Sequence, residues 1–137
     1  MPRILAIDYG KKRTGLAVTD PLQLIAGGLT TVATSELMNY LKQYMAQEPV
    51  ERIIVGWPTQ PNGQPSENQQ RVASFLNAFS KQFPAVPVER FDERFTSCLA
   101  HQTMLAAGLS KKKRQDKALV DEISATIILQ SFMESRR

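Results

Sequence analysis

The strongest constraint on the fold is the run Ile4-Leu-Ala-Ile-Asp-Tyr-Gly-Lys-Lys-Arg-Thr-Gly-Leu-Ala-Val18. Ile4 to Ile7 are continuously apolar rather than alternating, the pattern of a strand covered on both faces. Gly10-Lys11-Lys12-Arg13-Thr14-Gly15 reads as a turn, and Leu16, Ala17 and Val18 resume the strand pattern. The two runs predict a hairpin whose loop is longer than the minimum. Asp8 is the anomaly. It shares a strand face with Ile4 and Ala6, because alternate side chains point the same way. A carboxylate at the end of a buried strand is costly unless a cation meets it, and Lys11, Lys12 and Arg13 follow within five residues. On this stretch alone two readings stand: a turn-initiating aspartate with a solvated basic loop, or a metal or phosphate site.

The chain has 137 residues, enough for one domain (1–137) with a real core. Hydrophobic residues at 42% and charged residues at 22% are ordinary for a soluble globular protein. No apolar run approaches the ~20 residues of a membrane span, and a first strand at Arg3 leaves no room for a signal peptide. A single cysteine, Cys98, excludes an intrachain disulfide, and with one histidine, His101, Cys/His metal chemistry is not expected. A cytoplasmic location fits. The net charge of +4 suggests an anionic partner. Its distribution says more: Lys111, Lys112, Lys113, Arg114 and Lys117 crowd seven residues, opposed only by Asp116. Such a run by itself is a solvated loop. With Lys11, Lys12 and Arg13 it becomes a candidate footprint for a nucleic-acid backbone.

Further along, Ile25 to Val32 has strand character, with Gly27-Gly28 marking a bulge. Thr34 or Ser35 is placed to cap a helix over Glu36 to Gln47. Arg52-Ile-Ile-Val-Gly56 suits a buried parallel strand. Trp57 to Pro65 is an irregular loop, and Ser66 caps a second helix to Phe83. Val86 to Phe91 forms the next strand. Thr96 or Ser97 caps a helix to Ala107, closed by Gly108, and Ala118 to Glu134 is the last helix. Three strands, then alternating helices and strands, predict an α/β fold: a mixed five-stranded sheet, antiparallel through strands 1–3 and then built by βαβ crossovers, with helices on both faces. Ligands in such sheets sit beyond the carboxyl ends of the strands.

Three acids fall near that edge. Asp8 ends strand one, and Glu93 lies just past the last strand. Asp121 sits in the first turns of the final helix, in line with Ala125, Ile128 and Phe132 on an apolar stripe that faces the sheet. Taken alone, Asp121 is explained as a helix-start carboxylate favoured by the macrodipole. Three acids converging near phosphates are the oxygen donors that Mg²⁺ uses.

Asp8-Tyr-Gly-Lys-Lys-Arg-Thr-Gly-Leu-Ala, Ile54-Val-Gly-Trp-Pro with Asn62-Gly63, Asp92-Glu-Arg-Phe-Thr-Ser and Asp121-Glu-Ile-Ser-Ala-Thr-Ile-Ile-Leu together resemble the YqgF family, also called RuvX or Holliday-junction-resolvase-like. The resemblance covers essentially the whole chain, in order and spacing. It implies a ribonuclease H-like fold and a nuclease dependent on Mg²⁺ or Mn²⁺. It further implies action on the 5′ end of pre-16S rRNA, with four-way DNA junctions as the alternative substrate. The family's acidic positions fall on Asp8, Glu93 and Asp121, as catalytic residues and metal ligands. Nucleic acid is then the partner of Lys11, Lys12, Arg13, Lys111, Lys112, Lys113, Arg114 and Lys117, and the ribosomal particle is a second candidate partner. Both a monomer and a homodimer are compatible with the sequence. The chain departs from the family's commoner residues at Trp57 (more often Leu) and Asn62 (often Asp). Related RuvC-type resolvases carry a second Asp three residues after the first on the last helix. Here that position is Ser124, a poor ligand for Mg²⁺, so one ion, or a second recruited by substrate phosphate, stands as an alternative to two tightly held ions.

Two rival functions remain. One is a non-catalytic rRNA- or ribosome-binding factor. The other is an ATPase of the sugar-kinase or actin type, whose phosphate loop also reads Asp-x-Gly with a later Gly. Those proteins enclose the nucleotide between two such domains, and this chain has length for one.

Overall fold

A computed structural model describes residues 2–57, 67–92 and 117–135. In chain order these residues form β1 (Arg3–Tyr9), β2 (Arg13–Thr19), β3 (Ala26–Ala33), a 3₁₀ turn (Thr34–Glu36), α1 (Leu37–Gln47), β4 (Val50–Trp57), α2 (Glu67–Gln82), β5 (Val88–Asp92) and α3 (Lys117–Ser135). The strands make one five-stranded sheet in the order β3-β2-β1-β4-β5. β2 is antiparallel to both β1 and β3, while β4 runs parallel to β1 and β5 parallel to β4. This is the mixed sheet expected from the element order. The carboxyl ends of β1, β4 and β5 therefore share one edge.

The continuous apolar run of β1 is explained by two separate cores. Leu5 and Ile7 face one side, packed with Leu16, Ile53 and Val55 under Leu37 and Leu41 of α1 and Val72, Leu76 and Phe79 of α2. Ile4 and Ala6 face the other, packed with Ala17 and Ile54 under Ala125, Ile128, Leu129 and Phe132 of α3. Each fully buried Leu, Ile or Phe contributes about 1.5–3 kcal/mol from apolar burial. The α3 side is lined by smaller residues, so the helix lies close to the strands.

Two local readings are refined. The bulge is present in β3, where Leu16 pairs with Thr30 and Ala17 with Gly28, which leaves Leu29 unmatched beside the two glycines. The expected cap at Thr34 or Ser35 does not form. Neither the 3₁₀ turn nor α1 has a side-chain cap, because the Thr34 hydroxyl donates instead to the Gly10 carbonyl at 2.7 Å. The helix expected from Thr96 or Ser97 to Ala107 and the cap expected at Ser66 lie outside the described residues.

Candidate active site

Asp8 is the penultimate residue of β1. By strand alternation it lies on the face of Ile4 and Ala6, the face that α3 covers. Its cross-strand partner is Gly15. A Cβ built on Gly15 would collide with the main-chain carbonyl of Asp121 and lie 2.9 Å from the amide nitrogen of Glu122. The backbone of α3 at Asp121 thus rests on the residue directly across from Asp8. Paired residues on neighbouring antiparallel strands are about 4.5–5.5 Å apart, so the α3 backbone at Asp121 lies near Asp8 at one corner of the sheet. The stripe below Asp121 is as the sequence indicates: Ala125, Ile128 and Phe132 are all buried.

Asp121 is the fifth residue of α3. That is beyond the first turn, where a macrodipole acts most strongly. Its charge is met by Arg13, whose Nε donates to Asp121 Oδ2 at 2.8 Å across 108 positions of sequence. The side chains are 41% and 23% exposed, so water screens the pair, and exposed pairs of this kind are worth about 0.2–1 kcal/mol. Glu122 turns the other way. Its side chain lies against Gly28 of β3, where a Cβ would sit 2.7 Å from Cγ and 2.9 Å from Cδ.

The basic turn is braced. Thr34 donates its backbone N–H to the Lys12 carbonyl at 2.9 Å. Its hydroxyl proton goes to the Gly10 carbonyl, so the buried Thr14 hydroxyl must be the donor in the 2.9 Å contact between the two threonines. Lys11 and Lys12 remain exposed at the tip. On the far side of β1, Asn68 of α2 donates from Nδ2 to the Tyr9 carbonyl at 2.6 Å and fixes the residue that follows Asp8. Its Oδ1 is buried without a hydrogen-bond partner. Sequence reading missed both Thr34 and Asn68. The signal for Thr34 was strand pairing: Arg13 opposite Ala33 puts Thr34 beside Lys12. Asn68 offered none beyond being a polar residue at a helix start.

Glu93, Lys111, Lys112, Lys113 and Arg114 lie outside the described residues, as do Cys98 and His101. Lys117 begins α3. β5 ends at Asp92, opposite Trp57 at the end of β4. With strands about 4.8 Å apart, the chain leaves β5 two strands, or roughly 10 Å, from β1. Trp57 packs on the α1/α2 core, and the Arg90 guanidinium sits 4.2 Å over its ring.

Among the described residues no group of three or more His, Cys, Asp or Glu is assembled for a metal. Asp8 and Asp121 nonetheless fit a hard divalent ion. They offer only oxygen donors, the backbone of one lies near the other at one corner of the sheet, and Asp121 already holds a cationic group. No helix among the described residues is long and apolar enough to cross a membrane.

A family model described as RuvX, Holliday junction resolvase, matches residues 2–135. A Bacteroides thetaiotaomicron protein named "Putative pre-16S rRNA nuclease" is 64% identical over 137 residues, covering 100% of this chain and 99% of its own. A Flavobacterium johnsoniae protein of the same name is 58% identical with the same coverage. Among solved structures, Thermus thermophilus RuvC in complex with a Holliday junction substrate superposes with a TM-score of 0.59 at 17% identity, covering 99% of this chain and 96% of that one. The fowlpox virus Holliday junction resolvase gives 0.54 at 16% identity, covering 98% and 99%. At these identities the likeness to the solved structures is one of fold, the ribonuclease H-like fold expected from the sequence.

Proposed function

Because the chain belongs to the RuvX family, we propose that it is a nuclease that processes the 5′ end of pre-16S rRNA in the cytoplasm, with residues 1–137 as a single catalytic domain. The observation that supports this reading is that the α3 backbone at Asp121 rests on Gly15, the cross-strand partner of Asp8, at the carboxyl edge of β1 and next to a braced basic turn.

Asp8 and Asp121, with Glu93 as third donor, would hold a divalent ion, Mg²⁺ or Mn²⁺. The ion supplies activation of water and stabilisation of charge on the phosphoryl oxygens. The remaining work belongs to the chain. Lys11 and Lys12, on a turn pinned by Thr34, hold backbone phosphates of the substrate and set its position relative to the acids. Lys111 to Lys117 extend the same footprint. Phosphate contacts of this kind bind without reading sequence, so the site of cleavage is chosen by the shape of the RNA and of the ribosomal particle carrying it. Asn68 keeps the Tyr9 carbonyl in place and with it the end of β1 that carries Asp8.

A second reading, resolution of four-way DNA junctions, is favoured by the family's description and by the shared fold with RuvC. One experiment separates these. Purified protein and its Asp8→Asn variant are incubated with a pre-16S leader RNA and with a four-way DNA junction, each in Mg²⁺, Mn²⁺ and chelator. Metal-dependent cutting of the RNA that the variant lacks is the expected result. Cutting of the junction alone selects the second reading. Binding without cutting of either substrate, in every metal, replaces the nuclease with an rRNA-binding assembly factor.

A further inference from the structure

We propose that Arg13 is a metal-displaceable latch: Arg13 and the divalent ion compete for the Asp121 carboxylate, and metal loading releases the guanidinium to a substrate phosphate. The inference rests on the proposed placement of the ion at Asp8 and Asp121, and deepens it.

The geometry sets up the competition. Arg13 is held at the start of β2 opposite Ala33, and Asp121 is held over Gly15 two residues further along the same strand. The 2.8 Å bond from Arg13 Nε takes one oxygen of that carboxylate. A divalent ion drawing on the same group would place two further positive charges within a few ångströms of the guanidinium, and one carboxylate cannot neutralise both. The pair is also built to open. Arg13 is 41% exposed, so its head can turn into solvent without a buried charge being stranded. Among the described residues the ion pairs are Arg3–Glu48, Arg13–Asp121 and Arg52–Glu89. Arg13 is therefore the member of the basic turn that is paired there, while Lys11 and Lys12 stand exposed. A released guanidinium beside the ion is the group best shaped for a phosphate, which it can grip through two N–H donors.

The consequence is a positive coupling. Metal strengthens the hold on phosphate, and phosphate strengthens the hold on metal by the same factor, because binding linkage is reciprocal. The chain then grips nucleic acid most firmly when it is loaded for cleavage.

The test measures Mn²⁺ affinity by electron paramagnetic resonance without nucleic acid, in the wild type, Arg13→Gln, Lys12→Gln and Asp121→Asn. Both glutamine variants remove one positive charge from the same turn, but only the first opens the latch. Arg13→Gln is expected to tighten Mn²⁺ about two- to five-fold, the worth of an exposed pair, and Lys12→Gln to change it distinctly less. Equal effects overturn the latch and leave the metal site standing, provided Asp121→Asn weakens Mn²⁺. If Asp121→Asn leaves Mn²⁺ affinity unchanged, the metal placement fails and the latch with it. A second measurement serves where Arg13→Gln folds poorly. Wild-type affinity for a single-stranded RNA is followed against KCl with and without a fixed level of Ca²⁺. One extra phosphate contact steepens the log–log slope by about 0.7; an unchanged slope overturns the proposal.

Discussion

Gly15 has no side chain where the main-chain carbonyl of Asp121 lies, and Gly15 is also the cross-strand partner of Asp8. One missing Cβ therefore sets how closely the α3 backbone at Asp121 approaches the strand paired with Asp8. Gly15→Ala must push α3 off the sheet or distort β2. Overpacking of this kind costs about 1–3 kcal/mol, so the urea midpoint should fall. Metal-dependent cleavage should fall much further than the loss of folded protein explains, because Asp121 moves with its helix. Wild-type cleavage by a folded Gly15→Ala protein would show that the spacing of Asp8 and Asp121 is not set here.

The threonine relay makes a separable prediction about binding. Thr34→Val removes the acceptor of the buried Thr14 hydroxyl and the donor to Gly10. Leaving a buried hydroxyl unpaired costs about 1–3 kcal/mol. The basic turn then loses one of its braces, and RNA affinity should drop at a temperature where the variant is still folded. Thr34→Ser keeps the hydroxyl and should restore both quantities, read by thermal melting and by fluorescence anisotropy.

Charge at the turn tip should appear as salt dependence. Lys11→Ala and Lys12→Ala should each lower the slope of log affinity against log salt by about 0.7 on single-stranded RNA. Lys42→Ala is the control: Lys42 is exposed on α1, the helix covering the opposite face of the sheet from α3. A slope reduced equally by all three would mean diffuse attraction rather than a footprint.

Asp20 gives a pH prediction away from the site. Its carboxylate accepts backbone N–H bonds from Ile25 and Leu24, each at 2.7 Å, and from Leu22 at 3.2 Å. The bond from Ile25 leads the causes that hold its pKa below the ordinary 3.8. A carboxylate with a lowered folded-state pKa stabilises the fold above its unfolded value and loses that contribution as pH falls through the folded one. The β2–β3 turn should therefore be firm above pH 3.8 and loosen below it. Melting curves between neutral pH and pH 2.5 should show a shallower acid decline in Asp20→Asn than in the wild type.

Much of this was legible in the chain, for definite reasons. The unbroken apolar run at Ile4–Ile7 required cover on both faces, and α1, α2 and α3 supply it. The spacing of Asp121 to Ala125, Ile128 and Phe132 gave the orientation of α3, because helix periodicity alone fixes which residues share a face. The pairing of Arg13 with Asp121 was not legible. It joins residues 108 apart, and no local pattern reports which acid a cation in a turn will meet. The missing cap at Thr34 has the same origin. A threonine before a helix reads as a cap, but the β2–β3 pairing brings the Gly10 carbonyl to its hydroxyl first.

Ser124 offers the sharpest probe of how far the metal site extends along α3. It lies one turn after Asp121 and is 4% exposed on the sheet-facing side, next to the fully buried Ala125. Among the described residues that core holds no charged side chain, so Ser124→Asp should destabilise the protein by about 3 kcal/mol in chelator, the scale of an uncompensated buried charge. A divalent ion at Asp8 and Asp121 within reach would neutralise the new group. Mn²⁺ should then raise the melting temperature of Ser124→Asp by more than it raises that of the wild type, and the gain should disappear when Asp121→Asn is added. A variant destabilised equally with and without Mn²⁺ would place the ion on the β5 side of Asp8, beyond the reach of α3's second turn.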